Sequence, residues 1–142
     1  MIKFFFIILI FVSNQVFASL KGETLICDKD KIGYNFLSKN IVNVLGINLN
    51  ESKTFSVKHF YQLTENVIFI KEQSDLIDQE ESLTLRPIGW IFRRNLDYVS
   101  LDYVNGDWVR KFSWTCDKTS SDQLEIRINN KLNKLLKANE PK

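Results

Sequence analysis

The sequence predicts a mainly β protein: an antiparallel meander of seven to nine short strands forming a closed or nearly closed barrel, plus one C-terminal amphipathic helix. Three observations carry this expectation. Short apolar or alternating runs separated by turn residues recur from about residue 23 to residue 116. The chain's two cysteines, Cys27 and Cys116, lie at opposite ends of that region. Only the stretch after it repeats its apolar residues at helical spacing.

The first 18 residues stand apart. Lys3 precedes an apolar run from Phe4 to Val12, and Ser13-Asn14-Gln15 leads into Val16-Phe17-Ala18. A basic start, a short apolar centre and small residues at A-x-A-like spacing are the pattern of a secretory signal peptide. The apolar run is about half of the ~18–20 residues that cross a bilayer. Residues 1–18 are therefore expected to be removed, with no transmembrane span in the mature chain, and 19–142 to form one domain exported to the periplasm or the extracellular space. Removing Lys3 from 19 Lys+Arg leaves 18 against 17 Asp+Glu, which argues against a nucleic-acid partner. A chain that is 44% hydrophobic and 13% aromatic is not a disordered one.

The elements follow in order. Thr24 to Cys27 is a short β-rich run, broken by Asp28-Lys29-Asp30-Lys31, and Ile32 to Leu37 resumes. Ile41 to Leu45 precedes a polar stretch, Asn48 to Lys53. From Thr54 to Leu63, Phe55, Val57, His59, Tyr61 and Leu63 share one face, with Phe60 the exception. Thr64-Glu65-Asn66 reads as a turn before the apolar run Val67 to Ile70. Glu72 to Glu81 is an acidic loop, and Ser82 to Arg86 reads as a strand ended by Pro87 and Gly89.

Asn105-Gly106 is the preferred pair for a two-residue type I′ hairpin. Counting back from it pairs Tyr103 with Trp108, Leu101 with Arg110 and Val99 with Phe112. One face then collects Val99, Leu101, Tyr103, Trp108, Phe112 and Trp114, which is expected to face the core. Asp122-Gln123-Leu124-Glu125 has capping-box spacing and predicts a helix from about 122 to 138 with Asp122 as cap. Its apolar stripe is Leu124, Ile128, Leu132, Leu135 and Leu136, beside a basic stripe of Arg127, Lys131, Lys134 and Lys137.

Two cysteines in an oxidising compartment allow one intramolecular disulfide, Cys27–Cys116. That bond brings the first and last strands side by side, and a meander whose ends meet is a barrel.

No catalytic or cofactor motif stands out, so the residues divide into structural and functional readings. His59, the only histidine, is read as an interior or pocket-lining group in preference to a catalytic base. One histidine and two bridged cysteines build no metal site of the usual kind, and no cofactor is implied. Asp28-Lys29-Asp30 begins like an EF-hand loop, but Lys39 stands where that loop needs a bidentate Glu. Arg110 falls among aromatics, with Asp97 the expected counter-charge. The expected function is a non-catalytic module binding a small apolar ligand or an envelope protein. His59, Tyr61, Trp90, Arg110 and Trp114 are the expected ligand-lining residues. The alternatives are a cell-envelope hydrolase using His59 or the Asp78 to Glu81 carboxylates, and an envelope interaction or inhibitor protein acting through the C-terminal helix or the Glu72 to Glu81 loop, which would show as an exposed apolar patch.

Overall fold

The computed structural model describes residues 19–73 and 86–139. The signal-peptide reading, the carboxylates Asp75, Asp78, Glu80 and Glu81, and residues 82–85 of the expected strand lie outside these.

Eight strands follow one another around a closed antiparallel barrel: β1 (Thr24–Cys27), β2 (Ile32–Phe36), β3 (Ile41–Asn48), β4 (Lys53–Leu63), β5 (Val67–Gln73), β6 (Pro87–Phe92), β7 (Asp97–Val104) and β8 (Asp107–Thr119). Each pairs with the next, and β1 closes the ring on β8. The seam is held covalently. Cys27 and Cys116 are register partners with Cα atoms 4.0 Å apart, and they form the disulfide. Leu25, Tyr34, Phe36, Val42, Val44, Tyr61, Ile68, Ile70, Ile91 and Tyr98 join the bridged cysteines in one buried cluster. Their alternation along each strand places them on the inner face. An eight-stranded barrel is just wide enough inside for such side chains, so the core is the lumen.

The helix α1 (Ser121–Ala138) lies against the outer wall of β1 to β4. Leu124 and Ile128 pack on Ile26, flanked by Leu45 and Ile47, as a second buried cluster. Gly33 makes this approach feasible, because a Cβ there would overlap the Leu124 side chain. Arg127 pairs with Asp30 at 2.6 Å, tying the helix to the β1–β2 turn. In that turn Asp28, Lys29 and Asp30 all adopt positive φ.

Four local expectations are corrected. The helix is capped by Ser120, whose side chain accepts from the Gln123 N–H, two residues before Asp122. The strand after the acidic loop runs Pro87–Phe92. Pro87 opens it, a position where proline's missing N–H costs little. The turn at Asn105-Gly106 forms with both φ values positive, and Tyr103–Trp108 and Leu101–Arg110 pair as counted. A bulge then shifts the register: Ser100 faces Phe112, Val99 faces Ser113 and Tyr98 faces Trp114. The expected six-residue apolar face is therefore split in two, with Phe112 and Trp114 on the Tyr98 side and Trp108 on the other. Asp97, which the unshifted count would set opposite Trp114, accordingly faces Thr115.

Candidate functional site

Three of the five expected lining residues point into the barrel. Tyr61 is buried, meets Phe36 edge-on at 4.9 Å, and its hydroxyl donates to the Ser38 carbonyl at 2.7 Å. Burial pushes its pKa up from the ordinary 10.0. His59, half-buried opposite Val42, sets Nδ1 2.8 Å from the Lys71 carbonyl. A carbonyl only accepts, so Nδ1 carries the proton in this contact. Lys71 is itself buried, which lowers its pKa.

Trp114 belongs to a column of rings. Tyr34 stacks on Tyr98 at 5.5 Å, Tyr98 on Trp114 at 4.6 Å, and Trp114 on Phe112 at 6.5 Å. The column begins in the sealed core at Tyr34 and ends at Phe112, which is 54% exposed. Burial first, then the charge of and hydrogen bond with Tyr98, raise the Tyr34 pKa well above 10.0. Gly89 leaves room for the Tyr98 hydroxyl, where a Cβ would overlap it.

Trp90 and Arg110 stand on the outside. Trp90 alternates with the inward Ile91 and meets Phe69 and Phe92 edge-on at 6.1 and 6.2 Å. Arg110 follows the bulge, is exposed, and lines an outer-wall recess of about 420 Å³ with Phe92, Asn95, Asp97, Val99, Ser113, Trp114 and Thr115. Asp97 does not pair with it there. Its carboxylate accepts from Asn95 Nδ2 at 2.7 Å and Thr115 Oγ1 at 3.1 Å. The indole nitrogens of Trp90 and Trp114 are buried without a hydrogen-bond partner among the described residues.

Beyond the recess the β7–β8 hairpin extends past the ring. β8 pairs with β1 only from Cys116 to Thr119, so among the described residues 107–115 carry a neighbour on the β7 side alone. Tyr103, Val104, Trp108, Val109 and Phe112 are each 45–54% exposed on this one hairpin. Sequence reasoning placed most of these aromatics in the core. The signal it passed over is Arg110-Lys111, two adjacent charged residues that interrupt the alternation where the bulge lies.

Among the described residues no His, Cys, Asp and Glu side chains gather as a group able to hold a metal, and no helix is long and apolar enough to cross a membrane.

Fold and site together define a small disulfide-closed β-barrel with a helix on its wall and an exposed aromatic hairpin. No known protein family matches the chain, and no solved structure matches it. Among curated proteins, it is 23% identical over 117 residues to nuclear hormone receptor family member nhr-100 of Caenorhabditis elegans. That alignment takes in 78% of this chain, which spans about a quarter of the length of the curated relative it matches.

Proposed function

We propose that the chain is a non-catalytic binding module that engages a protein partner through the β7–β8 hairpin. The carrying observation is the half-exposure of Tyr103, Val104, Trp108, Val109 and Phe112 together on one protruding element. Clustered exposed aromatic and β-branched residues mark interaction surfaces, since water alone gives them no favourable partner. Two further features support this reading over a lumen ligand or a hydrolase. The barrel interior is occupied by its own side chains, and the His59 Nδ1 is engaged by a backbone carbonyl. The disulfide fits the exported location that the N-terminal leader pattern suggests.

The test places a photoreactive phenylalanine analogue at position 108, and separately at the exposed Lys58 on β4, in the protein within its own compartment. The reading expects a discrete cross-linked protein adduct from position 108 and little from position 58. No adduct, or equal yields from both positions, overturns it.

A further inference from the structure

We propose that the partner of this hairpin is a second copy of the same chain, joined by antiparallel pairing of the β8 edges that carry no neighbour among the described residues, in a register centred on Val109. This rests on the hairpin being the binding surface.

The backbone supplies the means. In a two-residue hairpin the residues flanking the loop, Val104 and Asp107, form a hydrogen-bonded pair, and such pairs alternate with non-bonded ones. Trp108 and Arg110 therefore turn their N–H and C=O groups away from β7, toward the unpaired side. Lys111 lies five residues before Cys116, about 17 Å along an extended strand, so this stretch stands clear of the β1 seam. Unpaired strand edges of this kind accept another strand.

The side chains select the occupant. An isologous antiparallel pair centred on Val109 sets Val109 against its own copy, Trp108 against Arg110 and Asp107 against Lys111, each twice about the two-fold axis. The outer face then gains a guanidinium beside each exposed indole, a cation–π arrangement. The indole already has Tyr103 at 5.0 Å on its other side. On the opposite face, Lys111 pairs with Asp102 at 3.7 Å within one copy, which places it on the Val109 side of the strand. There it meets Asp107 of the second copy, so a strand carrying Arg110 and Lys111 pairs with itself without opposing like charges directly. The continued sheet also covers half-exposed Trp108 and Val109.

The experiment uses the purified disulfide-bonded protein in sedimentation equilibrium, with two kinds of variant. Lys111→Asp opposes two carboxylates at each end of the paired strands and should weaken dimerisation about ten-fold, and Asp107→Lys added to it should restore dimerisation. Independently, Val109→Cys sets two thiols at a non-hydrogen-bonded pair, where Cα atoms lie about 4.5 Å apart and a disulfide fits. It should yield an inter-chain disulfide dimer, while Asp102→Cys, displaced by one strand on each side of the axis, should not. Circular dichroism confirms that each variant is folded. A wild-type protein that stays monomeric up to about 1 mM, or Val109→Cys cross-linking no better than Asp102→Cys, overturns the proposal. So does an adduct at position 108 whose mass is not twice that of the chain, an outcome that leaves the hairpin as the binding surface for another protein.

Discussion

At the scale of single residues, the barrel depends on polar groups placed in apolar surroundings. Tyr34 is the clearest. Its hydroxyl is sealed in the core beside Tyr98, and its folded pKa lies well above the 10.0 of an exposed tyrosine. Above about pH 10 the unfolded chain releases this proton while the native state keeps it, so the unfolded state is favoured as pH rises. The stability contributed is present in full below about pH 10 and is lost as pH climbs toward the folded value. Tyr34→Phe should cost about 1 kcal/mol near pH 8, through the lost hydrogen bond, and should flatten the alkaline fall in stability. Urea midpoints of both proteins at about pH 8 and about pH 11 check this, and parallel pH profiles would refute it. The candidate residues were legible in part. His59 and Tyr61 sit on the inner face because a plain alternation from Phe55 onward puts them there. Trp90, expected to line the interior with them, faces outward, because its strand offers no alternation that tells which face is the core.

At the scale of elements, one inserted residue decides the character of the hairpin. Without the bulge, Phe112 and Trp114 would share a face with Trp108. With it, Trp114 joins the Tyr98 column and Trp108 is left outside. The turn itself was legible because Asn-Gly suits positive φ at both positions, a local requirement that the two residues meet alone. The bulge was less so, since it goes with the stacking of Trp114 on Tyr98, which itself stacks on Tyr34, contacts that exist only once the ring is formed. The helix start was missed for a related reason. Ser120 and Asp122 both suit a cap, and the chain leaving β8 at Thr119 reaches Ser120 first. Ser120→Ala should lower stability by about 1 kcal/mol by freeing the Gln123 N–H, whereas Asp122→Ala should cost less. Thermal unfolding of the two variants checks the order, and a larger loss from Asp122→Ala would contradict the assignment.

At the scale of the whole molecule, closure was the most legible feature. Two cysteines admit a single pairing, and a meander joined at its ends is a ring. The structure places Cys27 and Cys116 as register partners across the β1–β8 seam. Replacing both with serine should cost about 4–5 kcal/mol in the loop-entropy model. Amide exchange should then rise first at residues 24–27 and 116–119, ahead of β3 and β4. Uniform acceleration around the ring would show that the bridge constrains the barrel globally rather than at its seam. The same closure has a consequence for biosynthesis. β1 is the first strand to leave the ribosome, yet one of its two neighbours is the last, and 89 residues separate the bridged sulfurs. At ~5–20 residues per second, Cys27 waits roughly 5–20 s for its mate. During that interval β1 has no β8 to pair with. Guarding that early thiol from other oxidants is a task for the cell before it is one for the fold.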